Sequence, residues 1–271
     1  MDLYINADPR GVITRKQIED IGFKGMRTTV LPGTEQPIIN CMIGSPLKRL
    51  YVLDYDAQEL AKLIVVRGYP KLSAIELVNE PNLNGWKPEV WADWMVSQYQ
   101  RIKTISPDIT VVSGGISNLN RAQLKYLKTA LAVGLPDDLV IGYHRYQTEK
   151  PSTSALKDYK TRSSEYYELV EVIGNRRRWC TEIGWHTQPQ TIRYGPFGLF
   201  SKRVQWNDKQ VANFLEDELI YQDEYRAEVT AIYQIIDGPS NHYEDHFGIF
   251  RMDGTMKEQA YRIRDIQSAV A

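Results

Sequence analysis

The chain has 271 residues, 42% of them hydrophobic, 25% charged and 11% aromatic, and its 33 Lys and Arg nearly cancel 34 Asp and Glu. Those proportions fit a globular chain that fills a core without staples, and the scattered, balanced charge leaves no footprint for a nucleic acid. The N-terminus lacks an apolar leader core and the stretch Leu63 to Val66 is far too short for a bilayer, so neither a signal peptide nor a membrane partner is expected. A secreted chain whose leader had been removed would read the same, which leaves the compartment open. Cys41 and Cys180 offer neither a disulfide framework nor metal-ligand spacing, so no cofactor is expected, and whether they are reduced stays open.

Short β-rich runs alternate with helical patterns, the signature of repeated βα units around a parallel sheet. A weak first strand is predicted over residues 3–6, and a helix opens with Thr14 as N-cap and closes at Gly22. The second strand is placed at 24–30 and the third at 49–54, joined by a Pro- and Gly-rich connection over 31–48 with at most a short helix. A helix over 57–68 leads to the fourth strand at 74–78, and a helix over 88–105 follows, with Trp91, Trp94, Met95, Gln98 and Ile102 on one face as core. Strand five is predicted at 109–113, a helix at 121–132, strand six at 139–143 and a helix at 163–173. Arg176 to Arg178 read as a solvated entrance to strand seven at 179–181. Residues 184–207 read as one long irregular, aromatic-rich loop, the place to look for specificity. Strand eight is predicted at 229–235 and a closing helix at 257–270.

A prior of roughly 150 residues per domain suggests about two domains, yet roughly 250 residues also suits one α/β barrel. Eight βα units within residues 1–271 decide for a single (β/α)8 TIM barrel. Chemistry is then expected at the C-terminal ends of the strands. Those ends collect Arg27, Asn79, Glu80, His144, Tyr146, Glu182, Tyr233, Gln234 and Asp237. Glu80 closes AIELVNEP and Glu182 lies in WCTEIGW, each directly after an apolar strand. An Asn-Glu-Pro tripeptide arises by chance, and a lone Glu at a strand end is commonly a helix-terminus or salt-bridge partner. Two such glutamates facing one mouth suit hydrolysis of a glycosidic bond, one protonating the leaving oxygen while the other attacks or activates water. Glu76, read at the beginning of its strand, and Glu165, in a helix, are set aside.

LVNEPNL at 77–83, CTEIGW at 180–185, YHRY at 143–146, Arg27 in KGMRTTV and EDHFGIFRMDGTMKEQAY at 244–261 together resemble glycoside hydrolase clan A, retaining β-glycosidases on this barrel. The resemblance implies Glu80 as general acid/base after strand four and Glu182 as nucleophile after strand seven. It further implies that Asn79 binds the sugar 2-hydroxyl, while Arg27 and Tyr146 keep Glu182 ionised and oriented. Glu80 begins protonated, since a second anion facing Glu182 is disfavoured, and releases its proton once Glu182 carries a glycosyl ester. The sequence departs from the clan after strand eight, where Tyr233 or Gln234 stands in place of the usual Trp. His144 reads either as a site residue or as a hydrogen-bonded structural one. Trp86, Trp185, Tyr194 and Trp206 fall in or beside loops at the catalytic face, where a sugar platform is expected. A metal site is not expected, the best-spaced histidines being His242 and His246. The expected activity is endo-hydrolysis of a β-linked oligo- or polysaccharide. The alternatives are exo-action, a carbohydrate-binding barrel without turnover, or a barrel enzyme using Glu80 or Glu182 as a proton-abstracting base.

Overall fold

The computed structural model describes residues 1–7, 15–29, 46–53, 72–146, 155–194 and 200–270. The expected helix over 57–68, the cap at Thr14, Cys41 and most of the 31–48 connection lie outside them. Eight strands run parallel in one sheet: β1 (Asp2–Asn6), β2 (Gly25–Thr29), β3 (Lys48–Leu53), β4 (Leu72–Leu77), β5 (Thr110–Ser113), β6 (Ile141–Tyr146), β7 (Arg178–Gly184) and β10 (Val229–Ile232). Their order, β5-β4-β3-β2-β1-β10-β7-β6, sets the last strand beside the first. The remaining seam, between β5 and β6, is bridged in parallel at Val112 with Val140 and at Ile116 with Tyr143, and the Ser113 N–H donates to the Val140 carbonyl at 2.8 Å. The expected barrel is therefore present, with its sheet edges joined.

Alternation along the strands sorts the side chains. Tyr4, Leu50, Ala74, Val112, Val140, Trp179, Val229 and Ala231 fill the inside of the barrel as one apolar layer. Their neighbours Leu3, Ile5, Tyr51, Leu53, Ile75 and Leu77 point the other way and join the larger core under the helices. Toward the C-terminal ends of four strands the buried side chains turn polar, at Asn6 of β1, Arg27 of β2, Glu76 of β4 and Thr181 of β7. A site thus begins where the apolar layer ends.

The helices are α1 (Arg15–Ile21), α2 (Pro88–Ile105), α3 (Arg121–Val133), α4 (Ala155–Ile173), α5 (Asp208–Glu224) and α6 (Glu258–Val270). Pro88 starts α2 at a position whose N–H would have no partner anyway, and Trp91, Met95, Gln98 and Ile102 form its buried face. Asn120 caps α3 by accepting from the Ala122 and Gln123 N–H groups. Trp94, expected in the core, is partly buried against it. No helix among the described residues is long and apolar enough to cross a membrane.

Three expectations need correction. The segment over 184–207 is not irregular throughout: β8 (Gln190–Tyr194) and β9 (Phe200–Val204) pair as an antiparallel hairpin. The helix α5 went unassigned, although Asn207 and Gln210 form a reciprocal capping box before its buried Val211, Phe214, Leu215 and Leu219. Strands six and seven run past their predicted ends, so His144, Tyr146 and Glu182 stand within β6 and β7, whereas β10 stops at Ile232 and leaves Tyr233 beyond it.

Candidate active site

Arg27, near the end of β2, organises the mouth. Its side chain is 3% exposed, and a buried guanidinium requires an acceptor for every one of its five N–H groups. It has them: Nε donates to Glu76 Oε2 at 2.6 Å, Nη2 to Glu76 Oε1 and Asn79 Oδ1 at 2.9 Å each, and Nη1 to Asn6 Oδ1 at 2.8 Å and Glu182 Oε1 at 2.6 Å. Burial opposes the guanidinium charge, but Glu76 and Glu182 outweigh it and push the Arg27 pKa up. Asn6 closes the arrangement by donating to the Thr181 and Ile232 carbonyls, at 3.3 Å each, which ties β1 to β7 and β10.

Glu182 is met on its other oxygen by the Tyr146 hydroxyl, which donates to Oε2. The imidazole Nδ1 of His144 lies 3.0 Å from Glu80 Oε1 and 3.5 Å from Glu182 Oε2, a bridge between the two carboxyl groups. His144 Nε2 is buried without a hydrogen-bond partner. Burial alone would push the Glu182 carboxyl up, but His144, Arg27 and the Tyr146 hydroxyl together hold it below the usual glutamate range. Burial and the Glu182 charge raise the Tyr146 phenol well above its ordinary value, so it remains a donor. Tyr233 is pushed up to about 12 by burial first and then by Glu182.

Glu80 sits differently. Its side chain is 24% exposed against 9% for Glu182, so it can exchange a proton with solvent while Glu182 is enclosed. The chain reaches it through two left-handed residues, Val78 at φ 61° and Glu80 itself at φ 47°. For a β-branched valine this is a strained conformation. It is held by the Val78 N–H on the Leu53 carbonyl at 3.0 Å and the Glu80 N–H on the Gly115 carbonyl at 3.2 Å. Beyond it, Asn84 donates to the Asn79 carbonyl at 2.7 Å and Asn82 to Ser117 at 2.7 Å, which pins the turn. Gly115 permits the whole packing: a Cβ there would come within 2.3 Å of His144 Nε2 and 2.6 Å of Thr181 Oγ1.

Of the expected residues, Arg27, Asn79, Glu80, His144, Tyr146, Glu182 and Tyr233 come together. Tyr233 packs its ring edge-on against Tyr146 and Phe247, with centroids 6.1 and 5.6 Å away. Trp185 and Trp206 do not form open platforms; each is 7% exposed, and they pack edge to face with centroids 5.4 Å apart in the core. Trp86 packs on Trp94 with centroids 5.5 Å apart and stays partly exposed, and the side chain of Tyr194 lies outside the described residues. Asp237 pairs with Lys257 at 2.7 Å, and Gln234 reaches the Glu244 carbonyl at 3.5 Å. Glu76 corrects the sequence reading: it lies one residue from the end of β4, fully buried, inside the mouth. Asn6 and Phe247 were not anticipated; the polar Asn6 ending an apolar strand was a usable signal, and Phe247 had none.

The same mouth holds the one convergent group of metal-type ligands among the described residues, Glu80, His144 and Glu182, whose ligand atoms lie within 4.8 Å of one another. Both Glu182 oxygens already receive hydrogen bonds, and the Arg27 cation beside them opposes a second positive charge. The arrangement suits proton transfer and nucleophilic attack better than ion binding.

No family model matches the sequence, and no curated protein matches it. Solved structures do share its fold. A family 39 glycoside hydrolase from the gut symbiont Bacteroides cellulosilyticus WH2 superposes with TM-score 0.71 at 19% identity, over 99% of this chain and 64% of that one. The family 39 enzyme from Xanthomonas axonopodis pv. citri gives 0.68 at 14%, over 98% of this chain and 66% of that one. An active-site mutant of the Rhizomucor miehei β-1,3-glucanosyltransferase in complex with laminaritriose gives 0.67 at 13%, over 95% and 96% of the two chains. This chain thus spans about two thirds of the family 39 structures and nearly the full length of the glucanosyltransferase. At these identities the shared property is the barrel.

Proposed function

We propose that the chain is a retaining β-glycoside hydrolase, with Glu182 as nucleophile and Glu80 as general acid/base. The observation that carries the reading is the approach of the two carboxyl groups, whose nearest ligand oxygens lie within 4.8 Å, with Glu182 held as the anion. Retaining glycosidases keep their carboxyl groups about 5–5.5 Å apart, whereas inverting ones leave about 6.5–9.5 Å for a water.

In the first step a Glu182 oxygen attacks the anomeric carbon as the bond to the leaving oxygen breaks, and the Glu80 proton passes to that oxygen. The product is a glycosyl ester on Glu182 and a free alcohol. Esterification removes the Glu182 charge, so Glu80 now carries the negative charge and takes a proton from water as it attacks the same carbon. The sugar leaves with its original configuration and both glutamates return to their starting states. Asn79, fixed through its Oδ1 by Arg27, is placed to bind the sugar 2-hydroxyl. Tyr233 replaces the expected indole as the ring below the sugar.

The substrate is an oligo- or polysaccharide with β-linkages, cut internally. A glucan backbone is favoured by the laminaritriose-bound neighbour, whose length this chain nearly matches. Incubation with activated 2-fluoro glycosides followed by peptide mass spectrometry is expected to place the label on Glu182. Turnover with inverted anomeric configuration would sink the assignment. A panel of β-1,3- and β-1,4-glucans, mannans and xylans, with products sized by chromatography, assigns the sugar and separates endo from exo cleavage.

A further inference from the structure

The reaction as drawn leaves a buried carboxylate at the mouth, Glu76, unused. Glu76 is fully enclosed, and both of its oxygens are occupied: Oε2 accepts from Arg27 Nε at 2.6 Å, while Oε1 accepts from Arg27 Nη2 at 2.9 Å, Thr181 Oγ1 at 3.1 Å and the Gly115 N–H at 3.2 Å. We propose that Glu76 is a positioning residue that holds Arg27 in place and shares its charge, so that the guanidinium serves Glu182 both as a free carboxylate and as a glycosyl ester. The inference rests on the function proposed above.

Two arguments carry it. First, Arg27 is buried between two carboxylates, one of which, Glu182, would lose its charge in every turnover. With Glu182 as its sole anionic partner, Arg27 would become an unpaired buried cation each time the ester forms. Glu76 cannot reach the substrate's anomeric carbon without giving up four hydrogen bonds, so it remains the fixed counter-charge throughout. Second, the bidentate grip of Glu76 uses Nε and Nη2, which turns Nη1 toward Glu182 and Nη2 also toward Asn79. One carboxylate thereby aims both the nucleophile and the amide proposed to bind the sugar.

The charged and titratable groups around Glu182 are Arg27 from β2, Glu76 from β4, Glu80 in the following turn, His144 and Tyr146 from β6, the Cys180 thiol on β7 itself, and Tyr233 after β10. Removing the Glu76 charge leaves Arg27 to Glu182 alone, so Glu182 should bind a proton less readily. The test is a carboxyl-carbon NMR titration of glutamate-labelled protein, with the Glu182 signal assigned from Glu182→Gln. In Glu76→Gln the Glu182 midpoint is expected to fall by about one pH unit relative to the parent, with kcat reduced and KM little changed. Glu76→Asp, which keeps the charge on a shorter arm, is expected to hold the midpoint near the parent value while kcat falls. A folded Glu76→Gln with an unmoved Glu182 midpoint overturns the proposal. If that variant does not fold, Glu76→Asp decides: a midpoint displaced by about a full unit overturns it, and an unmoved midpoint with lowered kcat supports it. Failure of the glycosidase reading shows separately, as absence of 2-fluoro label on parent Glu182, because the titration needs no turnover.

Discussion

Arg27 Nη1 lies 2.6 Å from Glu182 Oε1, and the same guanidinium spends its other N–H groups on Glu76, Asn79 and Asn6. The cation is therefore not a loose counter-ion but a fixed joint among four strand ends. Arg27→Met would leave two buried carboxylates facing each other, and is expected to cost about 3–5 kcal/mol in urea unfolding. Arg27→Lys, with three donors in place of five, should fall between parent and Arg27→Met; equal stability of Arg27→Met and parent would contradict the arrangement.

The Tyr146 hydroxyl is one of the groups that outweigh burial and hold Glu182 low. In the proposed mechanism activity needs the Glu182 anion, so the acid limb of kcat/KM against pH would report its ionisation. Tyr146→Phe removes a donor to the anion and should move that limb upward by about half to one pH unit. A limb that moved down would refute the donor role.

The same depression links to stability. A carboxyl whose folded pKa is below its unfolded value, about 4.3 for glutamate, stabilises the protein above that value and loses the contribution as pH falls through the folded pKa. The melting temperature is expected to drop steeply as pH is lowered from about 5 toward 3, in the range where carboxylates titrate. Glu182→Gln should flatten part of that slope, whatever its melting temperature at neutral pH; an unchanged slope would show that Glu182 does not contribute.

Glu80→Ala should slow hydrolysis of substrates with poor leaving groups by about 10²–10⁴-fold. Substrates whose leaving group needs no proton should lose far less in the first step, leaving the second step slow and the glycosyl ester accumulated. Stopped-flow measurement of a burst with an activated aryl glycoside checks this. Equal losses for both substrate classes would argue against Glu80 as the acid.

Lys257 and Asp237 form another buried pair, 2.7 Å apart, joining the start of α6 to the loop after β10. Burial pushes the Asp237 carboxyl up even against Lys257, so removing the lysine should be costly. Lys257→Met is expected to destabilise by about 3–5 kcal/mol, and adding Asp237→Leu should recover much of it. Calorimetry of both proteins measures the difference.

The barrel was legible because strand alternation and helix periodicity are local signals, and the helix bounds of α2 were readable to the residue from Pro88 and the Trp91 face. That Glu80, Glu182, Arg27 and Tyr146 meet at one mouth was legible because each stands at or just beyond the C-terminal end of a predicted strand, and parallel strands bring those ends together. Glu76 was misread because its place depends on the register of β4 against β3 and β5, which pairs it with Val52 and Val112 near the mouth. Trp185 and Trp206 were misread as platforms because loop position says nothing of the helix α5 that arrives later, whose Phe214 packs against Trp185 with centroids 5.3 Å apart. That helix itself was written in Asn207, Gln210 and the apolar spacing that follows, and a search for capping boxes finds it.

Gly115 has one more implication. A methyl group there would collide with the imidazole on one side and the Thr181 hydroxyl on the other, and both belong to side chains held in place by their own contacts. In a mutational scan scored by activity, this position should therefore be as intolerant as either glutamate, though it donates no proton and touches no sugar. Intolerance in such a scan would then mark two different things along this chain: groups that react, and one empty volume that lets them stand where they do.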